Sequence, residues 1–187
     1  MIKSISILGS TGSIGLNAFK IIDKKKGDFK VNILSANKNF KLICKQIKKY
    51  KPQIFIINDE KIYKRVLNKF KRKGIKILNN YESLNFKKIS DITISAIPGI
   101  AGLKPTIFMT KRSNKILIAN KESIICGWDL IKKSAIKNNT KIIPIDSEHF
   151  SILNLIKNHE IEEIKKIYIT ASGGPFLNFK KKQLKKI

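Results

Sequence analysis

Short runs of apolar residues recur along the chain, and segments with helical spacing separate them. In the first run, Ile5 and Ile7 alternate with Ser4 and Ser6, which is typical of a strand with one buried face. The next segment presents apolar residues toward a sheet at helical spacing, namely Ile14, Phe19, Ile21 and Ile22. The chain therefore opens with a strand followed by an amphipathic helix.

The same alternation continues to residue 145. Further strands are predicted at Lys30–Ser35, Gln53–Ile57, Ile75–Leu78, Asp91–Ser95, Lys115–Ala119 and Lys141–Ile145. Helical periodicity follows most of them, as in the segment from about Asp59 that closes at Gly74. This order predicts an α/β fold with a Rossmann-like, doubly wound and mostly parallel sheet, whose ligands gather at the carboxyl ends of the strands. Another strand is predicted to begin at Lys166–Thr170.

A glycine-rich turn joins the first strand to the first helix. Its glycines are Gly9, Gly12 and Gly15, one residue further apart at the start than in the usual G-x-G-x-x-G pattern. Such glycines permit a tight turn and let the backbone and the positive helix end approach a pyrophosphate. The turn predicts a dinucleotide site, and an ordinary turn of an α/β domain is the alternative.

The end of the second strand bears on the choice of dinucleotide. NAD enzymes tend to have a carboxylate there for the ribose 2′-hydroxyl, whereas NADP enzymes have a cation. Here the strand ends without a carboxylate, and Lys38 stands where a 2′-phosphate would bind. The sequence therefore favours NADPH over NADH.

Polar side chains follow two later strands. Asn120–Ser123 combines an amide, a cation, a carboxylate and a hydroxyl, which suits a polar substrate, although a helix start with an early glutamate explains it equally. Asp146 and Glu148 follow the strand at Lys141–Ile145, and in an extended chain both would point to the same side. Their hard oxygens suit Mg²⁺ or Mn²⁺, with a helix cap as the alternative.

The amino-acid composition raises one alternative function and bears on the cellular location of the protein. The net charge of +26 is typical of nucleic-acid-binding proteins. However, bidentate recognition of phosphates and bases favours arginine, and only three of the thirty-nine cations are arginines. A nucleic-acid partner is thus a minor alternative. Cys44 and Cys126 are isolated, and neither a signal peptide nor a membrane span is evident, so we expect a cytoplasmic protein that does not bind membranes.

Taken together, these motifs resemble the 1-deoxy-D-xylulose 5-phosphate reductoisomerase family. Five segments match in the family's order: Leu8–Gly15, Ala36–Asn39, Ala119–Ser123, Pro144–His149 and Ala171–Phe176. Asn37 stands where the family often has a glycine. The resemblance implies reduction and isomerisation of 1-deoxy-D-xylulose 5-phosphate to 2-C-methyl-D-erythritol 4-phosphate, with NADPH and Mn²⁺ or Mg²⁺ as cofactors.

The resemblance also implies residue roles. NADPH would be bound by Thr11, Gly12, Ser13, Ile14, Asn37, Lys38, Asn39, Asn120 and Glu122. The phosphorylated sugar would be contacted by Lys121, Ser147, Glu148 and Ser172. Asp146 and Glu148 would be metal ligands and, with Lys121, catalytic residues.

Family members are about twice this long, so the chain is expected to be a fragment. Residues 1–145 would form the NADPH-binding domain, and residues 146–187 would begin an α+β catalytic domain that holds the metal. The resemblance implies a homodimer for the full-length enzyme. A catalytically incomplete fragment that still binds NADPH is the main alternative.

Overall fold

The computed structural model describes residues 1–71, 73–84 and 90–169. Its strands are β1 (Lys3–Leu8), β2 (Phe29–Ala36), β3 (Ile54–Ile57), β4 (Lys76–Leu78), β5 (Ser90–Ser95), β6 (Ser113–Ile118) and β7 (Lys141–Pro144). Its helices are α1 (Ser13–Lys24), α2 (Phe40–Tyr50), α3 (Glu60–Phe70), α4 (Leu103–Thr110), α5 (Lys121–Lys137) and α6 (Ser147–Ile156). The chain divides into a compact unit at Met1–Asp146 and a second unit that begins at Ser147.

The strands of the first unit form one parallel sheet in the order β4-β3-β2-β1-β5-β6-β7. β1 lies at the centre, where Ile7 pairs with Leu34 of β2 and with Ile94 of β5. The chain reverses its direction of winding between β1 and β5, which is where parallel α/β sheets bind ligands. The predicted α/β fold with a mostly parallel sheet is confirmed.

Apolar side chains cover both faces of the sheet. One cluster joins α1, α2 and α3 to the sheet, as in the packing of Phe19, Ile43 and Val66. The other includes Met109 of α4 and Ile131 of α5. All four residues of β3 are buried, which explains why this strand reads as a continuous apolar run and not as an alternating one.

Side-chain caps fix the starts of three helices. Asn39 accepts a hydrogen bond from Leu42 N at 3.1 Å, Asp59 accepts one from Ile62 N at 2.9 Å, and Asn120 accepts one from Ser123 N at 2.9 Å. These bonds satisfy amides that have no partner within a helix. α1 differs, because its cap residue is Gly12, which has no side chain to offer.

The second unit contains α6, none of whose residues is buried, and a short 3₁₀ turn at Ile161–Glu163. The strand predicted at Lys166–Thr170 is absent from residues 166–169, where the backbone is irregular and Tyr168 is exposed. A strand needs a neighbour to receive its hydrogen bonds, and periodicity alone does not supply one. Within the described ranges, no helix is both long and apolar enough to cross a bilayer.

Gly15 lies where α1 packs on the turn before it, and a substitution at this position tests how tight that contact is. A Cβ atom at this position would lie 2.6 Å from the Gly9 carbonyl oxygen and 2.7 Å from Ser10 Cα, and both are backbone atoms. Because backbone cannot rotate away as a side chain does, we expect Gly15→Ala to lower the free energy of unfolding by about 2 kcal/mol in urea denaturation.

Gly12→Ala is the matched control, since its Cβ would meet only the Gly9 carbonyl oxygen, at 3.4 Å. We expect it to leave stability nearly unchanged. Equal urea midpoints for the two variants would show that the close approach at Gly15 is not a constraint.

Candidate dinucleotide-binding site

The turn between β1 and α1 is wedged between the ends of β2 and β5. Gly9 N and Ser10 N both donate to the Ser35 carbonyl oxygen, at 3.1 Å and 2.8 Å. Gly9 has a φ of +81°, and a Cβ there would lie 2.5 Å from the Ala96 carbonyl oxygen. Both the left-handed backbone and the close approach therefore require glycine at this position.

The N-terminus of α1 has a geometry that suits an anion. Gly12 caps the helix without a side-chain hydrogen bond, and the first turn contains no acidic residue. The first intrahelical bond runs from Leu16 N to the Gly12 carbonyl oxygen at 2.9 Å. The preceding amides of the first turn, at Ser13 and Ile14, thus lack intrahelical partners and suit a phosphate group.

Two clefts meet at this turn, along the carboxyl edge of the sheet. The larger, of about 390 Å³, runs from the turn past the ends of β2 and β3. It is lined by Gly9, Thr11, Gly12, Ser35, Ala36, Asn37, Asn58, Tyr81, Ala96, Ile97, Pro98 and Ala101. The smaller, of about 260 Å³, shares Gly12 and the turn after β5, and extends to the start of α5. It is lined by Gly12, Ser13, Ile14, Ala96, Ile97, Pro98, Ala119, Asn120, Lys121 and Glu122.

These clefts bring together most of the residues predicted to bind the cofactor. Thr11, Gly12 and Asn37 line the larger cleft. Ser13, Ile14, Asn120 and Glu122 line the smaller one, together with Lys121, which was predicted to contact substrate, and the turn after β5. An extended ligand that follows the carboxyl edge of the sheet would pass all of them.

The segment after β2 lies beside these two clefts. Lys38 is exposed, and its carbonyl oxygen accepts a hydrogen bond from Phe40 N at 2.9 Å. α3 places two further cations at the start of α2, because the Arg65 guanidinium carbon lies 4.2 Å from the centre of the Phe40 ring and Lys69 Nζ lies 5.3 Å from it. The sequence did not reveal these cations, since nothing in it shows which face of α3 meets α2.

The side chain of Asn120 forms hydrogen bonds that stabilise the segment between the two clefts. Its Nδ2 donates to the Gly99 carbonyl oxygen at 2.8 Å and to the Ile97 carbonyl oxygen, and its Oδ1 caps α5. Asn120 is 4% exposed, so its carboxamide shapes the cleft through protein contacts. The segment Asn120–Ser123 starts a helix, as one interpretation expected, and it also lines the cleft; its contact with a polar substrate stays a prediction.

Tyr81 and Asn58 are cleft residues that the motifs did not indicate. Burial raises the pKa of the Tyr81 phenol above its ordinary value. Tyr81 follows β4 and Asn58 follows β3, so only the strand order brings them to one wall.

Asp146 is the last residue of the first unit. It follows β7 and lies at the same edge of the sheet as Gly12. β7 is three strands from β1 in the sheet, or about 14 Å at the usual strand spacing. Glu148 lies in the second unit, in the first turn of α6, where it accepts a hydrogen bond from Ser147 Oγ at 2.7 Å. The extended backbone expected at Asp146–Glu148 is therefore wrong, because α6 begins at Ser147.

The candidate metal ligands remain a prediction. In residues 1–71, 73–84 and 90–169, no group of three or more His, Cys, Asp or Glu side chains is arranged to hold a metal ion. Ser172, the last predicted substrate residue, lies outside the described residues.

Comparison with known proteins identifies relatives over the whole chain. The sequence model of the family described as 1-deoxy-D-xylulose 5-phosphate reductoisomerase matches residues 5–127, and the model of that family's C-terminal domain matches residues 142–187. The reductoisomerase of Pelagibacter ubique is 45% identical over 99% of this chain and 49% of its own length. That of Clostridium perfringens is 36% identical over 99% of this chain and 50% of its own length.

Solved structures agree with these relatives. The 1-deoxy-D-xylulose 5-phosphate reductoisomerase of Zymomonas mobilis, in complex with NADPH, matches all of this chain and 50% of its own, with a TM-score of 0.84 and 27% identity. A DOX-P reductoisomerase in complex with magnesium also matches all of this chain and 50% of its own, with a TM-score of 0.82 and 30% identity.

The chain spans about half the length of the curated relatives it matches. The family model nevertheless covers more than half of this chain, and the matched region includes the glycine turn and the start of α5. The chain therefore belongs to the 1-deoxy-D-xylulose 5-phosphate reductoisomerase family.

Proposed function

We propose that the chain binds NADPH along the carboxyl edge of the sheet. The observation that carries this proposal is the glycine turn, whose uncapped helix end opens onto both clefts. The turn fits a pyrophosphate, because Gly12 leaves room for close approach and the first helical turn has no acidic side chain to repel the anion. The NADPH found in the Zymomonas mobilis relative supports this cofactor.

The 2′-phosphate of NADPH would bind at the segment after β2. Lys38 is exposed there and offers a charge, and Asn37 and Asn39 offer backbone and amide groups around it. Arg65 and Lys69 add positive charge near the start of α2. Favourable interaction of these cations with a dianion distinguishes NADPH from NADH.

We infer that the whole protein converts 1-deoxy-D-xylulose 5-phosphate to 2-C-methyl-D-erythritol 4-phosphate, as the family assignment supports. Lys121 and Glu122 stand at the cleft beside the glycine turn, where the nicotinamide end of an extended cofactor would lie. Lys121 would place a cation beside the oxygen on which negative charge develops. Ser147, Glu148 and Ser172 would contact the phosphorylated sugar. NADPH, when bound, supplies the hydride.

The carboxylates of Asp146 and Glu148 would hold Mg²⁺ or Mn²⁺. Hard oxygen donors fit either ion, which when bound acts as a Lewis acid on neighbouring substrate oxygens. Two carboxylates are few for such an ion, and the described residues offer no group of three ligands. The alternative function, in which these 187 residues bind NADPH but do not turn over substrate, is not favoured by the family assignment.

We also propose a cytoplasmic location, a homodimer for the full-length protein, and no nucleic-acid partner. Cys44 and Cys126 are both free thiols, which agrees with a reducing compartment. The clefts at the sheet edge suit a small phosphorylated molecule and not a duplex.

Lys38→Ala tests the 2′-phosphate site. Loss of a charged hydrogen bond should weaken NADPH binding about tenfold and change NADH binding less than twofold, as measured by titration of cofactor fluorescence. Lys48→Ala is the control, because it removes the same charge from the exposed last turn of α2. Equal losses for both cofactors would refute the assignment.

Asp146→Asn and Glu148→Gln test the metal ligands in a protein of the relatives' full length. Each change removes a charged oxygen donor, so we expect loss of metal-dependent turnover by at least 100-fold, with NADPH affinity within about twofold of the parent. Glu162→Gln, at an exposed acid in the 3₁₀ turn, should leave turnover unchanged. Retained activity in either ligand variant would remove that residue from the metal site.

A further inference from the structure

Gln46 is a buried carboxamide on the apolar face of α2. It is 3% exposed and lies on the same helix face as Ile43 and Ile47, both of which belong to the core. Burial of an amide is unfavourable unless its donor and acceptor groups find partners. The partners of Gln46 therefore indicate why a polar side chain occupies this position.

Both partners belong to Ser10, in the glycine turn. Ser10 Oγ donates to Gln46 Oε1 at 2.8 Å, and Gln46 Nε2 donates to the Ser10 carbonyl oxygen at 2.8 Å. A carbonyl oxygen can only accept, so the orientation of the amide follows from this partner. Ser10 is fully buried, which shields both bonds from water.

These bonds complete the restraint on Ser10. Its N–H already donates to the Ser35 carbonyl oxygen at 2.8 Å, so its amide is held by β2 while its carbonyl and hydroxyl groups are held by α2. Thr11, Gly12 and Ser13 follow directly, and these are the residues placed to face a pyrophosphate. The position of their amides thus depends on how firmly Ser10 is held.

α2 also begins at the proposed 2′-phosphate segment. Asn39 caps the helix, and Gln46 lies seven residues further along it, about 10 Å at 1.5 Å per residue. The start of α2 therefore adjoins the proposed 2′-phosphate segment, and the second half of α2 restrains the pyrophosphate turn.

We propose that Gln46 is a positioning residue for cofactor binding: through Ser10 it holds the glycine turn in the geometry that receives the pyrophosphate. The inference rests on the proposed binding of NADPH. Gln46 itself does not line either cleft, so it acts on the cofactor only through the turn.

Gln46→Leu removes both bonds at similar volume and leaves the Ser10 carbonyl and hydroxyl groups buried without these partners. We expect the affinities for NADPH and NADH to fall together, each about tenfold, with their ratio unchanged, because both cofactors contain the pyrophosphate. Lys38→Ala should instead change the ratio. Ser10→Ala, which removes one of the two bonds, should cause a smaller loss, and the double variant should be no worse than Gln46→Leu because the residues act as a pair.

Ile43→Val is the control for stability, since Ile43 is fully buried in the same helix. Its thermal midpoint should fall while both affinities stay within twofold of the parent, at a temperature where all variants are folded. An equal loss of affinity in Ile43→Val would assign Gln46 a merely structural role and overturn the proposal.

Unchanged affinities in Gln46→Leu would overturn the positioning role alone. Failure of the parent chain to bind NADPH would overturn the proposed function and this inference together. The parent titration therefore separates the two failures.

Discussion

Close backbone packing at the β1–α1 turn is the constraint on which the site depends. Gly9 approaches the backbone after β5, and Gly15 approaches Gly9 and Ser10. No side chain fits at either contact, and the result is a turn that brings the end of α1 against the centre of the sheet. The parallel strand order then places the ends of all the other strands on the same edge. The clefts proposed to bind the cofactor follow from these two features together.

Elements with strong periodicity were predictable from the sequence. The seven strands of the first unit follow from short apolar runs, and the start of α3 near Asp59 follows from helical spacing of apolar residues. The strand expected at Lys166–Thr170 does not form at residues 166–169, and Glu148 lies in a helix and not on an extended edge. Both errors concern residues after β7, where short apolar or acidic runs fit a strand and a helix start equally well.

Residues of the candidate site were predictable from the sequence where they belong to a motif. They were not predictable where the fold brings them together from distant parts of the chain. Thr11, Gly12 and Lys121 follow from local patterns and line the clefts. Gln46, Tyr81 and Arg65 come from distant parts of the chain and carry no motif. Gln46 had one detectable signal, a polar residue within the apolar stripe of α2, but only the contact with Ser10 explains it.

We propose that the glycine turn and the segment after β2 together hold NADPH. Titration of the 187-residue chain with NADPH and NADH, at low salt and at 0.5 M salt, tests it most directly. We expect saturable one-to-one binding that favours NADPH and persists at high salt. Equal affinity for the two cofactors, or binding lost at high salt as for any polyanion on a chain of charge +26, would contradict it.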